Sequence, residues 1–248
     1  MIRRTEIIMG MPITVEIVDS VHDSLLEKVF AYFTDVDQRF STYKADSEIN
    51  ALNKGLIKPA ALSADMLEVL EIAEKTKLET DGYFDIRNPS GNLDPSGIVK
   101  GWAIRNAASL LQGRGVKDFL LEAGGDIQCG GKTSTGENWK IGIRNPFNER
   151  EIIKAITPRG HGVATSGTSA RGQHIYNPRR ANCPIEDIVS LTVIGPDVLE
   201  ADRFATAAFA MGRSGIHFID KCPGLEGYLV DAKGIATLTR GFGAFVTA

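Results

Sequence analysis

Residues 97–130 read GIVKGWAIRNAASLLQGRGVKDFLLEAGGDIQCG, and two different periods meet inside this stretch. From Gly97 to Leu111 the apolar residues recur at helical spacing, and Gln112-Gly113 supplies a stop. Residues 117–121 and 126–130 then read as strands around Gly124-Gly125. Two more strands are expected at 138–143 and 151–157, with no helix between any of them. One helix followed by a run of strands lacks the regular strand–helix–strand rhythm of a parallel sheet. The expected fold class is therefore α+β, with mixed, mainly antiparallel sheets and packed helices.

The flanks agree with that class. A strand is expected over residues 5–18, where Thr14, Val15, Ile17 and Val18 are β-branched. Asp23-Ser24 opens a helix that carries Leu25, Leu26, Val29, Phe30, Phe33 and Val36 at helical spacing. Ser63 opens a second helix, which Thr80-Asp81-Gly82 ends. Phe40 to Asn53 is polar and turn-like, with Ser47-Glu48 able to start a short helical turn. Residues 85–97 and 163–182 read as polar loops. A strand at 189–194, helices at 199–211 and 214–221, and a hairpin of 227–230 with 235–238 complete the chain. There is no exact repeat and no composition break. Residues 1–248 are expected to form one domain, as a single body or as two closely packed α+β lobes.

Composition narrows the function classes. By area scaling, 248 residues bury roughly 70% of their unfolded surface, so no disulfide or metal staple is needed. A net charge of −3 offers no electrostatic footprint for nucleic acid or an anionic membrane. Cys129, Cys183 and Cys222 are too few and too irregular for a disulfide framework or a zinc site, and are expected to be small buried residues. Arg3-Arg4 precedes an apolar run, but Gly10, Pro12, Glu16 and Asp19 interrupt it, and no cleavage or lipobox signal follows. A cytoplasmic location is the expectation.

Five segments hold residue types suited to chemistry. Asp94-Pro-Ser-Gly97-Ile-Val-Lys100-Gly101 feeds a helix N-terminus, where open amides, the helix dipole and a lysine attract phosphate. An ordinary capped helix with a surface lysine would read the same. Gly124-Gly125-Asp126 permits close approach of backbone to a ligand, or is a tight turn with Asp126 as its acid. Thr165, Ser166, Gly167, Arg171 and His174 combine hydroxyls, an arginine fork and a proton acceptor. Asp202 and Thr206 share one helical face and offer two hard oxygens that suit Mg²⁺; a cap and a self-bonded threonine are the plain alternative. Tyr43, within Phe40 to Asn53, offers a face for a planar ring.

Taken in order, these segments resemble the ApbE family of FAD:protein FMN transferases. The family's FSxYxxxSEIxxLN is met at each specified position by Phe40 to Asn53, and its GxFD by Gly82 to Asp85. Its DLGGIAKGYA is similar to Asp94 to Ala103, its NAGGDI to Glu122 to Ile127, its ATSG block to Ala164 to Pro178, and its ADALATA to Ala201 to Ala207. Met9-Gly10-Met11 is similar to the MGT start. Thr168-Ser169 and Asn177 depart from the usual pattern, and the stretch between Asp85 and Asp94 is short.

The resemblance implies a fold like that of the family and a Mg²⁺-dependent transfer. FAD would be cut at its pyrophosphate, FMN joined to a threonine hydroxyl of an acceptor protein, and AMP released. It assigns the metal to Asp202, Thr206 and the carbonyl of Val99. His174 would act as base, with Lys100 and Asp202 beside the reacting phosphates. The FAD contacts would come from Tyr43, Asp94, Gly97, Lys100, Gly124, Gly125, Asp126, Thr165, Ser166, Gly167 and Arg171. Two alternatives stand beside transfer: a pyrophosphatase that yields FMN and AMP, and a non-catalytic FAD-binding or storage protein.

Overall fold

The computed structural model describes residues 1–168, 175–180 and 184–247. Its frame is an eight-stranded antiparallel sheet in the order β1-β2-β3-β4-β7-β8-β9-β10. These strands are β1 (Ile2–Ile8), β2 (Met11–Ile17), β3 (Phe119–Ala123), β4 (Asp126–Gly130), β7 (Gly162–Gly167), β8 (Ile188–Gly195), β9 (Glu226–Asp231) and β10 (Ala236–Leu238). A separate hairpin, β5 (Ile141–Asn145) and β6 (Asn148–Ile156), is inserted between β4 and β7. Helices α1 (Asp23–Phe40), α2 (Glu48–Asn53), α3 (Ala64–Glu79) and α4 (Ser96–Gln112) lie between β2 and β3 in the chain. Helices α5 (Val198–Ala210) and α6 (Gly215–Ile219) lie between β8 and β9. Two hairpin–helices–hairpin blocks thus join edge to edge at β4 and β7.

Two differences from the sequence reading have physical causes. The strand expected over 5–18 is two strands, reversed at Met9 (φ 56°) and Gly10 (φ 71°). Two positive φ values in a two-residue turn match the twist of a hairpin, but a methionine in the left-handed region is unusual and gives no turn signal. Residues 162–167 form strand β7 rather than a loop, because β4 and β8 pair with both edges of this polar segment. The short helical turn expected at Ser47-Glu48 is present: Ser47 caps α2 by accepting the Asn50 N–H at 3.2 Å.

Period-2 alternation divides the core. On one face of the sheet Ala164, Leu191, Val193 and Leu229 pack under α5 and α6. On the other, Val163, Ile194, Tyr228 and Val230 pack with Ile141, Ile143 and Ile156 of the inserted hairpin and with Phe242. A third cluster joins Ile13, Val15 and Leu121 to α1, α3 and α4. Helix α4 is apolar nearly all round, burying Ile98, Val99, Trp102, Ile104 and Leu111, because it is covered by α1, the sheet and α5. Cys129 is buried, and burial pushes its thiol up to about 11; Cys222 is half-buried, and Cys183 lies outside the described residues. Among the described residues no helix is long and apolar enough to cross a membrane.

Candidate active site

The two turns Met9-Gly10 and Gly124-Gly125 project from the same end of the sheet, where the Gly124 N–H donates to the Pro12 carbonyl at 3.3 Å. Gly124 (φ 57°) and Gly125 (φ 94°) form the two-residue connection between Ala123 and Asp126. A Cβ on Gly125 would meet nothing within 4 Å, so the turn faces open space. Thr165 to Gly167, at the end of β7, extend past Asp126 at that same end. Thr165 is exposed and Ser166 buried; the Thr165 N–H donates to Asp126 Oδ1 at 3.1 Å, and its hydroxyl lies 2.9 Å from that of Thr192.

Above this end lie the first turn of α4 and the middle of α5. Lys100 Nζ sits 2.8 Å from Asp126 Oδ2 and 3.7 Å from Asp202 Oδ1. The Gly101 N–H donates to Asp202 Oδ2 at 2.8 Å. Asp126 is fully buried and Asp202 nearly so, while the Lys100 side chain keeps 16% of its surface. Burial pushes the Asp202 carboxyl above the ordinary carboxylate range. The Lys100 charge pulls it down, Asp126 pushes it up, and the Gly101 N–H lowers it. Asp126 is therefore a buried member of a charge cluster and not an exposed turn acid, a role that a separation of 26 residues from Lys100 in the chain does not advertise.

Glycines permit this proximity. A Cβ on Gly101 would lie 2.7 Å from Asp202 Cβ and 2.9 Å from the Val198 carbonyl oxygen, so α4 and α5 meet at backbone distance. A Cβ on Gly97 would lie 3.2 Å from Thr206 Cγ2, which places the start of α4 over Thr206. Within α5 only Glu200 and Thr206 retain partial exposure. Asp202 and Thr206 thus share a face, with Asp202 buried and Thr206 partly exposed. Val99 is buried in the same turn of α4 as Lys100.

This donor set fits a hard divalent cation: a carboxylate, a hydroxyl and an adjacent turn of helix carrying a carbonyl are oxygen ligands of the kind Mg²⁺ prefers. Among the described residues no cluster of three or more His, Cys, Asp or Glu side chains forms a closed cage. A sparse set is what Mg²⁺ accepts, because it keeps waters and substrate phosphates in its shell.

The remaining sequence candidates divide. Asp94 lies before α4, and its carboxylate accepts the Ser96 N–H at 3.1 Å, an Asx turn that leads into the helix carrying Lys100. Tyr43 is 98% exposed on a loop that Asn50 closes by donating to the carbonyls of Thr42 and Lys44 at 2.9 and 2.8 Å. Asn53 exchanges two hydrogen bonds with the backbone of Leu93, at 2.8 and 2.9 Å, tying that segment to the approach to α4. Arg171 and His174 lie outside the described residues. The sequence reading missed Gln128, whose amide oxygen accepts the Val198 N–H at 2.9 Å and so seats the first turn of α5. A polar residue in the middle of a strand was the available signal.

A model of the ApbE family matches residues 9–88 and 87–229. The FAD:protein FMN transferase of Escherichia coli K12 is 25% identical over 272 residues, covering 85% of this chain and 77% of its own. The protein of that name from Vibrio cholerae is 26% identical over 247 residues, covering 77% and 72%. Among solved structures, the flavin transferase ApbE from Vibrio cholerae superposes with a TM-score of 0.88 at 21% identity, covering 98% of each chain. The ApbE protein of Thermotoga maritima gives 0.87 at 20% identity, covering 100% of this chain and 99% of its own. At these identities the structural likeness speaks for the fold.

Proposed function

Because the chain belongs to the ApbE family, we propose that it transfers the FMN half of FAD to a threonine hydroxyl of an acceptor protein and releases AMP. The observation that carries this reading is the meeting of Lys100, Asp126 and Asp202 at the first turn of α4, beside Thr206. A buried acidic pair steadied by one lysine at a helix N-terminus suits a pyrophosphate and a cation together.

Asp202, Thr206 and the carbonyl of Val99 would hold Mg²⁺, which when bound polarises the pyrophosphate and offsets charge on the departing phosphate. The Gly101 N–H and Lys100 fix the Asp202 carboxylate in place. Asp126 holds the Lys100 ammonium at the end of the sheet, where it faces phosphate oxygens. The open Gly124-Gly125 turn and the exposed Tyr43 ring offer surfaces for the flavin, and Thr165, Ser166 and Gly167 for the phosphates or ribose. His174 takes the hydroxyl proton of the acceptor threonine, a role worth about 10²–10⁴-fold in general base catalysis. The threonine oxygen bonds to the FMN phosphorus, the pyrophosphate P–O bond breaks, and the bridging oxygen leaves with AMP.

Nucleotide chromatography tests the reading. Purified protein, FAD and Mg²⁺ should release AMP when a threonine-bearing acceptor domain is added, and release little with a Thr→Ala acceptor. Equal AMP release without any acceptor, together with free FMN, would show a pyrophosphatase instead.

A further inference from the structure

Arg203 follows Asp202 directly, in a position where the ADALATA pattern has alanine. Its side chain is 4% exposed, and each nitrogen of its guanidinium has a partner. The guanidinium donates to both oxygens of Glu200 at 2.8 and 2.6 Å, to the Thr76 hydroxyl at 3.2 Å, and to Glu79. Its carbon lies 4.2 Å from the centroid of the Phe204 ring. Glu200 belongs to α5 itself, whereas Thr76 and Glu79 belong to α3. The fork therefore ties α5 to a second helix, α3.

We propose that Arg203 is a positioning residue for the metal ligands: its clamp on α3 sets the roll of α5 that aims Asp202 and Thr206. Neighbouring residues on a helix point ~100° apart, so fixing one fixes the direction of the next. A roll of ~10° would move an atom ~5 Å from the helix axis by ~0.9 Å. That displacement is enough to take the 2.8 Å bond between Gly101 and Asp202 beyond hydrogen-bonding range. On the α4 side Asp202 is held by the Gly101 N–H at 2.8 Å and the Lys100 ammonium at 3.7 Å, and Arg203 adds a hold from α3. A buried ion pair contributes little net stability compared with apolar packing, and fixing a register is its best-attested use. The inference rests on the metal reading given above.

The test is Mn²⁺ binding, followed by the loss of the free-ion EPR signal, on the full chain without acceptor. Wild type, Asp202→Asn, Arg203→Met and Glu79→Gln are compared, with thermal melts alongside. Wild type should bind one tight Mn²⁺ and Asp202→Asn should lose it. Arg203→Met should bind roughly tenfold more weakly, the range seen when partners of metal ligands are removed. Glu79→Gln, which keeps the fork to Glu200, should weaken binding in the same direction. If Arg203→Met does not fold, Glu79→Gln alone decides. Folded variants with wild-type Mn²⁺ affinity would overturn the positioning role and leave a stabilising contact only. Wild type that binds no Mn²⁺, or Asp202→Asn that binds it equally, would remove the metal site itself and the inference with it.

Discussion

Gly101→Ala probes the junction of α4 and α5 with a single methyl group. The added carbon would stand 2.7 Å from Asp202 Cβ, 2.9 Å from the Val198 carbonyl oxygen and 3.0 Å from Leu199 Cα. Ordinary carbon–carbon contact is ~3.5–4.0 Å, so the helices must separate by ~1 Å. Two of the three obstacles are backbone atoms, so no rotamer change relieves them. The separation would stretch the bond from the Gly101 N–H to Asp202, now 2.8 Å, until it is lost. Overpacking costs ~1–3 kcal/mol and a hydrogen bond to a charged group ~1.5–3 kcal/mol. The better helix propensity of alanine returns ~1 kcal/mol. The net is about 1.5–5 kcal/mol, or roughly 3–20 °C in Tm for a chain of this size. Thermal unfolding followed by circular dichroism reads the stability, and FAD turnover reads the site. Both should fall, with turnover lost even at temperatures where the variant is folded. A variant with wild-type Tm and turnover would refute backbone contact between α4 and α5, and with it the placement of Asp202 over the first turn of α4.

Two other outcomes follow, one at the same junction and one at the end of β9. Lys100→Met leaves the buried Asp126 and Asp202 carboxylates facing each other without their cation, so Tm should drop by the equivalent of about 3–5 kcal/mol and turnover should vanish; a stable, active variant would contradict the cluster. The carboxyl of Asp231 is held below its ordinary pKa by the backbone N–H of Ile235, then that of Lys233, with Arg213 also lowering it. Its stabilising contribution is therefore present above the unfolded pKa of ~4 and lost as pH falls through the lower folded value. Asp231→Asn should melt earlier than wild type at pH 7 and together with it in strong acid, and a Tm gap that persists in acid would exclude this cause.

Much of the fold was legible because periodicity reports burial. The apolar face of α1 and the Ser63 cap stand in the sequence as they stand in the structure, whereas α3 buries Met66, Val69, Ala73 and Thr76 and leaves Leu67 exposed, a face that the spacing of Leu67, Leu70, Ile72 and Ala73 does not give. The β1–β2 hairpin was not, because its turn depends on Met9 adopting a conformation that its side chain does not favour. Strand β7 was not, because Thr165, Ser166 and Gly167 gain strand structure only from β8 pairing beside them. The site was legible as separate segments, since Lys100, Asp126 and Asp202 each sit in a distinctive local pattern. That Asp126 binds Lys100, and that Arg203 grips α3, are contacts across 26 and 124 residues of chain. No local pattern encodes such distances.

The most direct measurement of the central claim is the intact mass of an acceptor domain after incubation with this chain, FAD and Mg²⁺. The account predicts an acceptor heavier by one FMN joined with loss of water, on threonine, with one AMP released per label and none with Asp202→Asn. An unlabelled acceptor while FAD is consumed to free FMN and AMP, or an Asp202→Asn chain that labels as well as wild type, would contradict it.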